Sequence, residues 1–272
     1  MYLVLVATKT GKQEPKTRRP APFVYLAAPP PIVHSVYEPR ISIIIPTFNE
    51  AQNIEGLIRH LQAASTTADC EILVSDGGST DDTLARAASA GAKVLLSPVK
   101  GRAGQMNHAV SHATGDLFYF VHADSRPPAS FAADIAAALK RGYNCGSYRS
   151  KFDRNRGMLR INSFCTRFNY LFLRGGDQTI WITRDLWEQT GPYKEDMRIM
   201  EDYDFLARIW KEGQFYLAPK STIVSARKYD ENTWLRVQLA NLKVVRMYRK
   251  GASQEAMLAA YKKALEYRKN AF

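Results

Sequence analysis

The stretch Ile41-Ser42-Ile43-Ile44-Ile45-Pro46-Thr47-Phe48-Asn49-Glu50 decides the fold. Its apolar run is too short for a helix and is closed by a proline, so it reads as a buried strand that ends in a polar loop. Three similar runs follow, Ile72–Ser75, Val94–Leu96 and Leu117–Val121. Amphipathic segments near 53–64, 81–90, 104–113 and 129–140 alternate with them. Alternating strands and helices imply βαβ units, and hence a doubly wound α/β fold with a Rossmann-like, mostly parallel sheet flanked by helices.

Beyond residue 142 the order loosens. Tyr143–Phe152 and Gln178–Thr183 are expected as strands, Gly157–Leu173 and Glu201–Lys211 as helices, with a further strand near Thr222–Val224. From Asn232 to Arg249 the residues Trp234, Leu235, Leu239, Leu242, Val245 and Tyr248 recur at helical spacing opposite Arg236, Lys243, Arg246 and Arg249, and a second helix is expected over Gln254–Arg268. Residues 1–40 differ, with a basic run followed by clustered prolines, and read as an extended, poorly ordered extension. The chain thus divides into this extension, an α/β domain over 41–225 with halves 41–125 and 126–225, and basic amphipathic C-terminal helices over 226–272.

A chain of 272 residues, 46% hydrophobic and 24% charged, can fill a core, which excludes overall disorder, collagen and coiled coil. Its net charge of +12 admits nucleic acid, an anionic membrane surface or a phosphate-bearing substrate as partner. Three scattered cysteines make neither a Cys-based zinc site nor a disulfide framework and suit a reducing compartment. No apolar run approaches the ~18 residues of a membrane span, and Tyr2–Ala7 lacks the flanks of a secretory signal. The expectation is a cytoplasmic protein, at the inner face of the membrane if its substrate is lipid-linked.

In open parallel sheets ligands bind where strands end. Polar clusters follow three of the expected strands: Pro46-Thr47-Phe48-Asn49-Glu50, Asp76-Gly77-Gly78-Ser79 and His122-Ala123-Asp124. Helix capping by Asn49, Glu50, Ser79 or Asp81 is the alternative reading of the first two. Asp76 precedes two glycines, which lets its carboxylate come close to a ligand and accept a hydrogen bond from a base or ribose. His122 and Asp124 could face one ion. A carboxylate with phosphate oxygens suits Mg2+ or Mn2+, and Asp124 is preferred because a lone histidine is more often structural.

These clusters, with Gly101-Arg102-Ala103-Gly104-Gln105-Met106-Asn107, Gly115-Asp116, Gly176-Asp177-Gln178 and Met200-Glu201-Asp202-Tyr203-Asp204-Phe205, resemble in kind and order the family 2 glycosyltransferases of the GT-A fold, over roughly 41–225. The resemblance implies a hexosyltransferase that uses a nucleotide-sugar donor, with UDP as the expected nucleotide. Pro46, Thr47, Glu50 and Gly77 would line the nucleotide pocket, and Asp76 would bond the base. Arg102 and Arg227 would approach the diphosphate, and Asp124, with His122, would hold the divalent cation. Asp202, with Glu201, would deprotonate an acceptor hydroxyl for direct displacement with inversion. Asp177 and Gln178 would face sugar and acceptor. A polyprenyl phosphate is the alternative acceptor.

One departure is His122, where the family usually carries the first carboxylate of Asp-x-Asp; a subset of bacterial-type relatives resembles this chain in having His-Ala-Asp. Read by residue type alone, Glu201, Asp202 and Asp204 could equally be acids at the positive end of a helix. Gly175-Gly176 could be a plain turn, and Arg227-Lys228 a solvated basic loop.

The charge is not evenly spread. Residues 1–40 carry six Lys or Arg against two Glu and residues 226–272 eleven against four acids, which leaves +1 for the segment between. With no nucleic-acid-reading motif present, this argues against nucleic acid as a partner. It favours peripheral contact of the C-terminal helices with anionic lipid, as a lipid-linked acceptor would require.

Overall fold

A computed structural model describes residues 39–66, 68–174 and 178–265. The first half runs β1 (Ile41–Thr47), α1 (Ile54–Ala64), β2 (Cys70–Asp76), α2 (Thr83–Ser89), β3 (Lys93–Leu96), α3 (Arg102–Ser111), β4 (Leu117–Phe120), β5 (Ser125–Arg126) and α4 (Phe131–Lys140). The second runs β6 (Cys145–Phe152), α5 (Met158–Cys165), a 3-10 turn (Leu171–Leu173), β7 (Ile180–Thr183), α6 (Arg184–Thr190), α7 (Glu201–Glu212) and β8 (Phe215–Val224). The short α8 (Lys228–Glu231), α9 (Trp234–Arg249) and α10 (Gln254–Ala264) follow.

β1 is buried along its whole length because β2 and β4 flank it in parallel and helices cover both faces. Ile41, Ile43 and Ile45 join Ile54, Leu57, Ile58 and Leu61 of α1 in one core, while Ile44 joins Ala103, Met106 and Ala109 of α3 in the other. Each fully buried aliphatic side chain of this set contributes about 1.5–3 kcal/mol. Ser42, also inside, is satisfied by Glu71 Oε1 at 2.6 Å and the Gly115 N–H at 2.9 Å. Gly115 must be glycine, since a Cβ there would stand 2.6 Å from the Arg40 carbonyl oxygen.

The sheet order is β3-β2-β1-β4-β7-β6-β8-β5. The first four strands are parallel, as the alternating pattern requires; β7 then enters antiparallel to both β4 and β6, and β5 antiparallel to β8, so the second half is mixed. Two inversions leave β6 and β8 running with β4, and their carboxyl ends share its edge. In β6–β8 the register jumps from Tyr148↔Ala218 to Arg149↔Ser221. The bulge has a chemical cause: Pro219, in the skipped pair, has no N–H to give the ladder.

Three expectations are corrected. Gly157–Leu173 is not one helix: α5 stops at Cys165, where Thr166 Oγ1 donates to Ser163 O and accepts from Ser150 N at 3.1 Å, fastening the chain to β6. The strand expected near Thr222–Val224 is the tail of the ten-residue β8. In α9 the period holds but the buried face is Val237, Gln238, Ala240, Val244 and Val245, while Leu235 and Leu239 stay exposed. Small side chains win because Val237 and Ala240 pack against Leu265 and Ala264 at the end of α10. That helix ends at Ala264, and residues 266–268 of the expected helix, like 1–38 of the expected extension, lie outside the described residues. No helix among the described residues is long and apolar enough to cross a membrane.

Candidate active site

The loops after β1 and β2 are cross-linked. Asn49 N–H donates to Ser79 Oγ at 2.8 Å and its side-chain oxygen accepts from Thr80 N; Glu50 N–H donates to Thr83 Oγ1, and Ala51 N–H to Asp81. Asn49 and Ser79 use their side chains between the two loops, Glu50 O accepts from Ile54 N at the start of α1, and Asn53 and Asp82, the residues before α1 and α2, make no side-chain cap bond. Asp81 does take a cap-like part, accepting from Thr83 N at 3.0 Å. Gln105 ties the two strands below: its Nε2 donates to Thr47 O at 2.6 Å and Ser75 O at 2.9 Å. Gly77 lies against this amide, 3.1 Å from where its Cβ would be. Pro46 and Thr47 end β1 in this buried corner.

Asp76 is wholly buried. Its carboxylate accepts from Thr47 Oγ1 (2.8 Å), Gly78 N (2.8 Å), Ser79 N (2.7 Å) and Ser79 Oγ (2.6 Å). Those four bonds use its acceptor capacity. Asp76 therefore holds the turn, and the bond to a base expected of it would require giving up one of these.

Across the edge, a single nitrogen of Arg227 gathers the other two acids. Its Nη2 lies 3.3 and 3.2 Å from the two Glu50 carboxylate oxygens and 3.1 Å from Asp124 Oδ2. Glu50 is buried and is held by Asn53 Nδ2 at 2.6 Å, while Asp124 is half-buried. The half-buried His122 sits in the same turn, where Ser125 N–H donates to His122 O at 2.9 Å. Among the described residues no group of three or more His, Cys, Asp or Glu could cage a metal alone. A hard cation with phosphate ligands needs only one or two carboxylates. Two carboxylates already sharing one positive group form a place that favours a cation.

A second meeting joins the halves of the domain. Arg102, first residue of α3, reaches Glu201 Oε1 at 2.5 Å through Nη2 and Asp202 Oδ2 at 3.7 Å through Nη1. Both acids are buried in the first turn of α7, where the helix dipole favours negative charge. Among the described residues two non-glycine positions have a left-handed backbone: Asn49 (φ 54°) and Met200 (φ 70°). Each directly precedes a site carboxylate, Glu50 or Glu201. Asp204 faces elsewhere, bonded by Lys194 Nζ at 2.8 Å and Arg208 Nε at 2.9 Å. Burial pulls its carboxyl up, but these two cations outweigh it, and the net shift is downward. The Tyr193 phenol is pushed well above its ordinary value by burial first and then by Asp202 and Glu201.

Gln178 belongs to a neighbouring cluster with Arg174, whose Nη1 donates to its side-chain oxygen at 3.1 Å. Asp177, with Gly175 and Gly176, lies outside the described residues. Burial pushes the Cys145 thiol up to about 12 and the Cys70 thiol to about 11, which keeps both from acting as thiolates. Reading by residue type missed Gln105, Lys194 and Arg174 as structural partners of the site. The only signal for Gln105 was its place inside the Gly101–Asn107 motif.

A parallel four-strand half, extended through an antiparallel strand and carrying acids from both halves at one edge, is the GT-A fold of glycosyltransferases. The chain belongs to glycosyl transferase family 2, whose model matches residues 42–197. The fold is shared with a mannosyltransferase of Pyrobaculum calidifontis solved with GDP-Man and Mn2+, at TM-score 0.60 and 22% identity over 85% of this chain and 73% of that one. It is shared as well with glucosyl-3-phosphoglycerate synthase of Mycobacterium tuberculosis solved with Mn2+, UDP and glucosyl-3-phosphoglycerate, at TM-score 0.56 and 20% identity over 79% and 81%. An undecaprenyl-phosphate 4-deoxy-4-formamido-L-arabinose transferase of Klebsiella pneumoniae is 33% identical over 114 residues, 39% of this chain and 35% of that protein.

Proposed function

We propose that the chain transfers a hexose from a nucleoside diphosphate sugar, with UDP as the expected nucleotide, to an acceptor hydroxyl by direct displacement with inversion. The observation that carries this reading is the convergence of Arg102 on Glu201 and Asp202, which sets a diphosphate-binding type of cation beside two buried acids. The cross-linked loops around Pro46, Thr47, Asp76 and Gly77 form the nucleotide wall, with Asp76 acting through the turn it holds. Arg102 and Arg227, each held by carboxylates, are the cations a diphosphate would draw to itself.

Asp124, with His122 in the same turn, would hold Mg2+ or Mn2+, as the Mn2+ in both solved neighbours supports. When bound, that ion neutralises the charge developing on the leaving diphosphate. Asp202 takes the proton as the acceptor oxygen bonds to the anomeric carbon and the bond from that carbon to the diphosphate breaks. Glu201 keeps Arg102 in place beside it, and Gln178 would face the acceptor side.

A polyprenyl phosphate is the alternative acceptor, supported by the Klebsiella relative. The two separate in one experiment. Asp202→Asn should lower transfer to an alcohol by ~10²–10⁴-fold while UDP binding, followed calorimetrically, persists; transfer undiminished by the substitution would reject Asp202 as base and favour the phosphate acceptor, which needs little proton removal. The basic C-terminal helices, with Leu235 and Leu239 exposed on α9, support peripheral contact with anionic lipid. Failure to float with anionic vesicles at low salt would remove that part of the reading.

A further inference from the structure

Beside Gln178 the fold buries positive charge that meets no acid among the described residues. Arg174 is 1% exposed. Its Nη1 donates to Gln178 Oε1 at 3.1 Å and Ser147 Oγ at 3.4 Å, and its Nη2 to Phe168 O at 3.2 Å and Asn169 Oδ1 at 3.4 Å. Every one of these acceptors is neutral, and the buried Nε has no partner. Arg149 follows Ser147 by two residues on β6 and so shares its face of the sheet. It stands at the β6–β8 bulge, a feature that re-aims side chains beside active sites, and its buried Nε also lacks a partner. Burial, and after it the charge of Arg149, brings the Arg174 guanidinium down to about 10, which still leaves it cationic at neutral pH.

Buried guanidinium groups are ordinarily paired with carboxylates because an unmatched charge away from water is costly. Among the described residues neither the buried Arg174 nor the half-buried Arg149 has such a pair. Arg174 bonds Gln178, just before β7, whose start pairs with the end of β4 that leads to Asp124, and Arg149 lies on β6, the next strand beyond β7. A need for negative charge built into the wall of a transfer site is met by the molecule that enters it. We propose that Arg149 and Arg174 receive a dianionic phosphate group carried by the acceptor. Two fixed cations match two negative charges, and guanidinium forks suit phosphate oxygens. The ligand's role as acceptor rests on the transfer reading above; the presence of a phosphate site does not.

The test separates them. Thermal shifts are measured with saturating UDP and Mn2+, which occupy the donor corner, in inorganic phosphate, geranyl phosphate or acetate at one ionic strength. Phosphate should raise the wild-type Tm saturably and acetate should not. Arg149→Gln should weaken the phosphate response about ten-fold or more, as loss of a charge-assisted contact implies. Its own Tm without phosphate should be unchanged or higher, because a half-buried cation beside another has been removed. Arg174→Gln should act the same way, and if it fails to fold, Arg149→Gln still decides. Tighter binding of geranyl phosphate than of inorganic phosphate supports a lipid-linked acceptor, and equal binding a water-soluble phosphorylated one. An equal phosphate response in wild type and Arg149→Gln, or an acetate response equal to phosphate, overturns the proposal. Absent UDP binding with the phosphate response intact would instead reject the transfer reading alone.

Discussion

Asp204 illustrates how one residue of an acid-rich motif can have a task different from its neighbours. Glu201 and Asp202 face Arg102, but Asp204, two residues further round α7, is fixed by Lys194 and Arg208. Because these bonds hold its carboxyl below its ordinary value of 3.8, the stability it contributes is present above that value and is lost as pH falls beneath it. Urea midpoints should drop below about pH 4 in the wild type, and Asp204→Asn should flatten that limb while costing about 1–3 kcal/mol at neutral pH. A wild type with an unchanged midpoint down to pH 2 would contradict this assignment. Residue type alone made Glu201, Asp202 and Asp204 equivalent. What separates them is the partner each meets, and those partners come from 99 residues away in the chain for Glu201 and 10 for Asp204 through Lys194. For the same reason Asp76 was legible as a loop carboxylate but not as one whose acceptor capacity is already used by Thr47, Gly78 and Ser79.

At the scale of elements, the β1 to α4 half was legible because β1, β4 and most of β2 are buried and its helices are amphipathic, two patterns that burial imprints directly on sequence. The second half was legible only in part: β6, β7 and α7 fall where two strands and a helix were expected, but other elements do not. The break after α5 depends on Thr166 finding Ser150 on another strand, and the buried face of α9 depends on α10, a contact no periodicity within α9 specifies. The left-handed Met200 carried no signal either, since it is an ordinary residue in an unusual conformation. Its backbone aims the first turn of α7 at Arg102. Met200→Gly should remove a cost of about 1 kcal/mol, leaving Tm equal or raised, yet lower turnover because the turn is no longer held at one angle. A large loss of Tm in that variant would mean that the Met200 side chain, rather than the backbone, is what matters.

At the scale of the molecule, two clusters of opposite charge meet at one edge: Arg227 with Glu50 and Asp124, and Arg102 with Glu201 and Asp202. Their cations come from α3 and from the chain after β8, and their acids from three separate places, the loop after β1, the turn after β4 and the first turn of α7, so folding of the whole domain is needed to assemble them. The net charge of +12 is concentrated at the chain ends, and the site itself balances its arginines with acids that a nucleoside diphosphate and its cation would exchange for new partners. The most direct test of the proposed function is calorimetric titration of UDP, with and without Mn2+, into the wild type, Asp124→Asn and Arg102→Gln. Binding in the wild type should depend on Mn2+ and weaken about ten-fold or more in each variant. Binding equal in all three proteins, or UDP binding indifferent to Mn2+, would contradict the proposed function.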